Sequence, residues 1–426
     1  MFELDKALLL NGKIEVLSGF AFPSSGFNQL DGLPLIRIRD LGGSTTEVRF
    51  RGAYDPAYRV SKGDLLVAMD GDFEVHRWEG EDALLNQRVC RISSSSREID
   101  QGFLYWYLKP KIAEIHRRTP QTTVRHLSTK DIYTISEPPI GFPAQERIAQ
   151  ILDTLDTAIR ETEALIDKLK AVRQGLLHDL LTRGVDANGQ LRPPQSEAPQ
   201  LYKESPLGWI SKEWEASTVE AEFDVESGIT LGAHRVPRNN PKQYLRVANV
   251  HRARLLLEDI ATLQASDTEA SLRGLHPGDL LVVEGHASTE EIGRCAMADE
   301  SVRGLLFQNH LFRLRAKRLL SVFGLLWMNS AFVRAYWRCE AATSSGLNTI
   351  NRTKLNRLDV AVPSLSEQER IVSVELDFAS RLRREEQTLE KLKREKIALM
   401  EDLLTGRVRV TPLLESMHQS SAQTGA

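Results

Sequence analysis

Apolar and polar positions along this chain follow two rhythms, and each rhythm occurs twice. From Leu35 to Arg39 apolar and charged residues alternate, the period of a half-buried strand. Tyr58 to Met69 reads strand, turn, strand, with Lys62-Gly63-Asp64 as the turn, and Leu84 to Ile92 reads as a further strand. Gly102 to Arg117, rich in aromatics (Phe103, Tyr105, Trp106, Tyr107), predicts a helix packed on the sheet, and Pro138-Pro139 closes this mixed α/β domain. The period then changes. Ile148, Leu152, Leu155, Ile159, Thr162, Ile166, Leu169, Arg173, Leu176 and Leu180 follow one another at steps of four and three, the a/d seam of a long coiled-coil helix with Thr162 and Arg173 as polar interruptions. Glu161, Glu163, Lys168 and Lys170 fall off the seam, and Gly184 with Asn188-Gly189 stops the helix. Residues 186–206, with Pro193-Pro194, Pro199 and Pro206, read as a polar linker.

The second half replays this order. Glu226-Ser227-Gly228 answers Leu17-Ser18-Gly19, Leu245-Arg246-Val247 answers Ile36-Arg37-Ile38, and Pro277-Gly278-Asp279-Leu280-Leu281 answers Lys62-Gly63-Asp64-Leu65-Leu66. Phe307 to Leu314 answers Leu85 to Ile92, so that Asn86-Gln87 meets Gln308-Asn309. A second seam runs through Ile371, Phe378, Leu382, Leu389, Leu392, Leu399 and Leu403, interrupted by Glu375, Glu385 and Lys396. Gln145-Glu146-Arg147-Ile148 and Gln368-Glu369-Arg370-Ile371 open the two helices, Asp179-Leu180-Leu181-Thr182 and Asp402-Leu403-Leu404-Thr405 close them, and the offset is 223 at both ends without a gap. An ungapped register of that length is an internal duplication. The helices hold their length while the globular parts keep only a skeleton, as in a rigid spacer carrying two different reading heads. The resulting divisions are 1–142, 143–184, 185–208, 209–362, 363–408 and a polar tail at 409–426.

At 426 residues, 41% hydrophobic and 27% charged, the chain has the composition of a soluble protein of several domains. No apolar run approaches the roughly 20 residues needed to cross a bilayer, and Met1-Phe2-Glu3-Leu4-Asp5-Lys6 lacks the features of a signal peptide, so a cytoplasmic location is expected. Cys90, Cys295 and Cys339 are scattered and read as buried thiols rather than a disulfide or zinc framework. The net charge of −3 disguises an uneven distribution: Ser227 to Leu257 holds six basic residues and no acid, whereas Asp64 to Asp82 holds seven acids and one Arg. Lys109 to Lys130 holds six basic residues against one acid and Arg294 to Arg357 eleven against three, and basic runs at related places in two repeats point to a polyanion.

No constellation for catalysis stands out. Phosphate loops and dinucleotide fingerprints are absent from the sequence. Asp55-Pro56-Ala57-Tyr58 resembles the Asp-Pro-Pro-Tyr loop of amino-methyltransferases but lacks the second Pro and any cofactor loop, so it reads as a turn. Asp70, Asp72 and Glu74 read as a solvated acidic loop rather than a metal site. Base reading is the better chemistry. Asn and Gln can bond adenine bidentately, as Arg can guanine, and Asn86, Gln87, Gln308, Asn309 and His310 are placed on corresponding strands beside Arg88, Arg91, Arg313 and Arg315. Arg37, Arg39, Arg235, Arg238, Lys242, Arg252 and Arg254 are candidates for phosphate. The loop Thr122-Thr123-Val124-Arg125, which answers Asn348-Thr349-Ile350-Asn351, suits phosphate or base contact through Arg125 and Asn351.

Taken in order, these motifs resemble the specificity subunit of type I restriction-modification enzymes over nearly the whole chain, to about residue 410. The approaches Phe142-Pro143-Ala144-Gln145-Glu146-Arg147-Ile148 and Pro363 to Ile371 carry the resemblance. So do the exits Leu180-Leu181-Thr182-Arg183 and Leu403-Leu404-Thr405-Gly406, and Ser205-Pro206-Leu207-Gly208-Trp209 with Trp214. Arg183-Gly184 departs from Gly406-Arg407, and so does the acidic Asp70-Gly71-Asp72 loop. The resemblance implies an α+β fold: two target-recognition domains in pseudo-two-fold arrangement, joined by two long antiparallel coiled-coil helices. It implies a non-catalytic subunit that reads a bipartite duplex DNA target, one half-site per domain. Two modification (methyltransferase) subunits would dock on the helices at Gln145, Glu146, Arg147, Gln368, Glu369 and Arg370, with restriction (translocase/nuclease) subunits outside them. S-adenosylmethionine, ATP and magnesium would belong to those partners. A helix of 38 residues is about 57 Å long, enough to set two readers a DNA turn of about 34 Å apart. The rival readings are a stand-alone amino-methyltransferase using Asp55 to Tyr58, and a coiled coil that only scaffolds.

Overall fold

The computed structural model describes residues 9–120, 125–340 and 348–410. It divides into two compact units, Met1–Ala164 with Gln387–Ala426, and Leu165–Glu386. The architecture is α+β, as expected.

In the first unit, strands β1 (Ile14–Ser18), β3 (Leu65–Ala68), β4 (Val75–Arg77) and β6 (Val89–Ser94) form an antiparallel sheet in the order β1-β6-β3-β4. Strands β2 (Leu33–Ile36) and β5 (Ala83–Leu85) pair in parallel in a second sheet. All four residues of β3 are buried, because Leu65 and Val67 face one apolar cluster and Leu66 another. A strand covered on both faces needs a continuous apolar run, and side chains alternate across it. The Gly-Asp before this run builds its turn: Gly63 has φ +97° and the Asp64 carboxylate accepts from the Ser61 amide at 2.9 Å. Helix α1 (Gln101–Arg118) packs Phe103, Leu104, Trp106 and Leu108 on the sheet. Short helix α2 (Thr129–Tyr133) follows, and α3 (Phe142–Thr182) begins.

The second unit repeats this register strand for strand. Its sheet is β7 (Phe223–Ser227), β12 (Leu311–Ala316), β9 (Leu280–Val283) and β10 (Cys295–Met297) in that order, and β8 (Lys242–Leu245) pairs in parallel with β11 (Leu306–Phe307). Ser18 opposite Cys90 becomes Ser227 opposite Phe312; Leu65 opposite Ile92 becomes Leu280 opposite Leu314; Ile36 beside Leu85 becomes Leu245 beside Phe307. Gly278 (φ +90°) and Asp279, which accepts from the His276 amide at 2.8 Å, rebuild the turn. The single helix α1 is answered by two, α4 (Ser321–Met328) and α5 (Ala331–Glu340), followed by α6 (Arg352–Asn356) and α7 (Leu365–Leu404).

The ten seam positions read in α3 are all at least partly buried. Within the first unit α3 runs antiparallel to α7, through ion pairs Glu163–Lys393 (2.7 Å) and Asp156–Lys396. Within the second the pairs are Lys170–Glu386 (3.2 Å) and Arg173–Glu375, where Arg173 Nε donates at 2.8 Å. Glu163–Lys393 and Lys170–Glu386 are the same pair with the repeats exchanged. The departure Arg183-Gly184 against Gly406-Arg407 moves the left-handed residue that ends each helix (Gly184 φ +69°, Gly406 φ +70°), and α3 has 41 residues to the 40 of α7.

Several expectations change. The alternating stretch Leu35–Arg39 is strand only to Ile36; Ile38–Asp40 turns into a 3-10 helix in which the Arg37 amide donates to Asp40 (2.9 Å). Leu84 to Ile92 is two strands with a turn between. Residues 185–208 are an ordered layer rather than a free linker. Tyr202–Ser205 and Gly208–Ser211 form a hairpin. Val185, Ile210 and Trp214 enter the second unit's core. Buried Arg192 Nη2 bonds Glu367 at 3.1 Å, beside Gly184, where a Cβ would collide with that carboxylate. Cys90 and Cys295 are buried but Cys339 is exposed. Of the polar tail at 409–426, residues 411–426 lie outside the described residues.

Candidate nucleic-acid interface

The Asn86-Gln87 and Gln308-Asn309 doublets do not lie on strands. Each fills a tight turn, Asn86-Gln87-Arg88 between β5 and β6 and Gln308-Asn309-His310 between β11 and β12. The chain threads past each turn in the same way. The Phe20 and Ile229 amides donate to Leu85 O (3.0 Å) and Phe307 O (2.7 Å), and the Gln87 and Asn309 amides donate back to Phe20 O (2.8 Å) and Ile229 O (3.0 Å). Gly19 and Gly228 precede the threaded residue because a Cβ there would strike the Asn86 or Gln308 carbonyl. The Ser-Gly motif therefore exists to let the backbone approach the turn. Asn86 is buried, Gln87 is exposed, Gln308 and Asn309 are half-buried and His310 is exposed.

The third turn residue is held by a carboxylate in both units. Arg88 Nη1 bonds Asp70, whose other oxygen lies 2.7 Å from His126 Nδ1. His310 Nδ1 lies 2.7 Å from Glu284. Asp70 is buried, contrary to the solvated acidic loop expected of it; Asp72 and Glu74 are exposed. Burial pushes the Asp70 carboxyl up, but His126 and Arg88 together hold it below the ordinary carboxylate range. Among the described residues no cluster of side chains could hold a metal ion. The Asp55 carboxylate accepts from the Ala57 amide at 2.9 Å and caps a 3-10 turn, as the turn reading required.

Most of the cations read as phosphate contacts are already paired. Arg235 forms a two-pronged pair with Glu269 (2.6 and 2.7 Å), and Lys242 pairs with Asp267 (2.6 Å). Arg252 donates to Asn329 (3.2 Å) and to Glu290 O (2.7 Å), and burial lowers its pKa. The acids that neutralise the run lie just beyond it, from Asp259 to Glu269, which is why the run itself reads as acid-free. Arg238 and Arg254 are exposed, and neither side chain has an ion pair or hydrogen bond among the described residues. Arg37 and Arg39 both lie near Glu47 (3.2 and 3.6 Å). Arg125 is drawn inward to Thr119 O (3.2 Å) and His116.

The loop correspondence also shifts. The Leu127 amide donates to Met69 O and the Ile350 amide to Glu284 O, both at 2.7 Å, so Arg125 answers Asn348 rather than Asn351. Thr122, Thr123 and Val124 lie outside the described residues. Asn351 answers Ser128: both are N-caps, and the Asn351 side chain accepts from the Lys354 amide at 2.8 Å.

Of the residues expected to face a partner, Gln145 and Gln368 are buried clasps. Gln145 accepts from the Asp100 amide (2.9 Å) and donates to Ile140 O (2.8 Å); Gln368 accepts from the Leu320 amide (2.9 Å) and donates to Pro363 O (3.0 Å). Each ties its long helix to the N-cap residue of the helix on the sheet. The partner-facing role is withdrawn for these two, since an amide that is 1% exposed and fully bonded has nothing left to offer. Glu146, Arg147 and Glu369 are exposed and Arg370 is half-buried. The sequence set Arg88 beside the doublets without giving it a role of its own, and Asp70, Glu284 and His126 were missed as members of the site; their pairing links strand ends to a turn about twenty residues or more away.

A family model described as the type I restriction modification DNA specificity domain matches residues 11–171. The chain is 26% identical over 364 residues to the type I restriction enzyme EcoBI specificity subunit of Escherichia coli, covering 84% of this chain and 75% of that one. It is 24% identical over 365 residues to the MjaVIII specificity subunit of Methanocaldococcus jannaschii, covering 83% and 81%. The crystal structure of the S subunit of a type I restriction-modification system from M. genitalium shares the fold at 14% identity with a TM-score of 0.53, over 95% of this chain and 98% of that one.

Proposed function

We infer that this chain, which belongs to the type I restriction-modification DNA specificity family, is the non-catalytic DNA-recognition subunit of such a system. The observation that carries the reading is the repeat: two units alike in strand register present different side chains on the same turn. A scaffold without a ligand gives no reason for that contrast. A methyltransferase gives none either, since the Asp55 carboxylate is occupied by its own turn.

Beyond this, each unit reads one half-site of a bipartite duplex. The coils formed by α3 and α7 set the gap between half-sites and carry the modification subunits, two of them, on their outer faces near Glu146, Arg147, Glu369 and Arg370. Restriction subunits sit outside those, and S-adenosylmethionine, ATP and magnesium are held by the partners. Among the described residues no helix is long and apolar enough to cross a membrane, and the proposed location is the cytoplasm, where the DNA is.

Phosphate contact falls to Arg238 and Arg254, the cations of the second unit's basic run that are left without a partner. Replacing both with Ala in the complex with modification subunits should flatten the slope of log K against log salt by about two. An unchanged slope removes them from the interface, and a wild-type complex that selects no sequence from a random duplex pool removes the reading.

A further inference from the structure

The two reading turns are laid out differently from what their amide side chains suggest. Asn86 points inward and is buried, and Gln308 and Asn309 are half-buried. The third position is the one exposed in both turns, whereas the second is exposed only in the first, as Gln87: the side chain of Arg88 is 66% exposed and that of His310 56%. The backbone places them alike, since Arg88 O accepts from the Met69 amide (2.8 Å) and His310 O from the Glu284 amide (3.0 Å). The carboxylate that holds each is not at the same place. In the first unit it is Asp70, one residue after Met69; in the second it is Glu284 itself. The tether has been made twice from different backbone positions, so it does not follow from the duplication alone.

Arg88 also occupies a costly conformation. Its φ is +73°, one of three such non-glycine residues among those described. A side chain on a left-handed backbone is strained, and such strain clusters where a side chain must be aimed. A long exposed Arg ordinarily loses much rotamer freedom on being immobilised; here Asp70, fixed by burial and by His126, meets that cost before any ligand arrives. Among the described residues only Nη1 is engaged, which leaves Nε and Nη2 as a parallel pair of donors, the geometry that guanine O6 and N7 accept.

We propose that Arg88 is the base-reading residue of the first unit, addressing a guanine in the major groove, that Asp70 is its positioning residue, and that His310 on Glu284 holds the same post in the second unit. With Nδ1 facing Glu284, Nε2 is the ring nitrogen of His310 that is left to meet a base edge. The two readers thus differ in base preference through the third turn residue. The inference rests on the DNA-recognition reading given above.

The test uses the full chain assembled with the modification subunits of its own system and a randomised duplex pool. Arg88→Gly is the informative variant, because it removes the side chain and suits the left-handed backbone; Arg88→Lys keeps the charge and loses the fork. In both, preference for one G·C pair in one half-site should fall roughly tenfold to a hundredfold, while the other half-site and the salt slope on non-specific DNA stay as in the wild type. Asp70→Asn should weaken the same G·C preference without changing non-specific affinity, a readout that a purely structural residue would not move selectively. His310→Ala should alter one position in the opposite half-site. An unchanged motif in Arg88→Gly with a folded complex overturns the proposal and leaves the recognition reading intact. A wild type that selects no motif sinks both.

Discussion

At the residue scale, the repeated short motifs resolve into clasps rather than contact surfaces. Gly-Asp-Leu-Leu is a left-handed glycine, a turn-capping carboxylate and a strand buried on both faces; Gln-Glu-Arg-Ile begins with an amide spent on three backbone groups in the first unit. Such residues are legible as a pattern in the sequence, but their roles are not, because a fully bonded Gln and a partner-facing Gln look alike as letters. Glu222 shows what a clasp of this kind contributes. It is fully buried, and it accepts from Arg318 Nη2 (2.7 Å) and Ser217 Oγ (2.6 Å). Burial pushes its carboxyl up, yet Arg318 and Ser217 outweigh burial and hold it below the usual range. A carboxylate lowered in the fold stabilises above its unfolded value of about 4.3, and that contribution is lost as the pH falls through the lower folded value. Glu222→Gln should therefore cost about 2–3 kcal/mol at pH 7, read as faster hydrogen exchange in β7 and β12, and the gap from wild type should close as the pH is lowered below 4. A gap that persists unchanged at low pH would show that the lost shape, not the lost charge, is responsible.

At the element scale, the long helices were legible almost to the residue. A heptad period sustained over forty residues is a local signal that no tertiary contact needs to explain. The strands were less so. Arg37 and Asp40 satisfy each other's turn and end β2 early, and the doublets thought to lie on strands sit where two strands meet. The 185–208 layer was read as a linker because its composition is polar and Pro-rich; the group that orders it, Glu367, is 175 positions from Arg192. The basic runs misled for a similar reason, since their counter-charges come from neighbouring elements. Of the five polar seam positions, Arg173, Glu375 and Lys396 take part in ion pairs between the two helices. Arg173 and Lys396, equivalent in the repeat, each reach an acid on the opposite helix, Glu375 and Asp156. Glu375 is 3% exposed, so Arg173→Ala strands a buried charge and should cost about 3–5 kcal/mol. Lys170→Ala breaks a half-exposed pair with Glu386 and should cost less than about 1 kcal/mol. Hydrogen exchange along α3 and α7 separates the two; equal effects would mean that the seam, not the pair, carries the helix contact.

At the scale of the whole molecule, a duplication that preserves helix length while altering what the turns present makes sense only if length itself is selected. Each coil is remade from the same charges with the repeats exchanged: Glu163 meets Lys393 in one unit, and Lys170 meets Glu386 in the other. A change in one helix alone would throw these pairs out of step, whereas an equal change in both would keep them. If the coils set the gap between half-sites, inserting one heptad after Ala164 and another after Gln387 adds about 10 Å at roughly 1.5 Å per residue. At about 3.4 Å per base pair that corresponds to three further unread base pairs. The doubly lengthened chain, assembled with its modification subunits, should select the same two half-sites separated by a gap longer by about three base pairs. The chain lengthened in α3 alone should lose sequence selection while keeping salt-dependent binding. The same gap in the doubly lengthened chain would mean that something other than the helices, such as the docked subunits, fixes the distance between the readers.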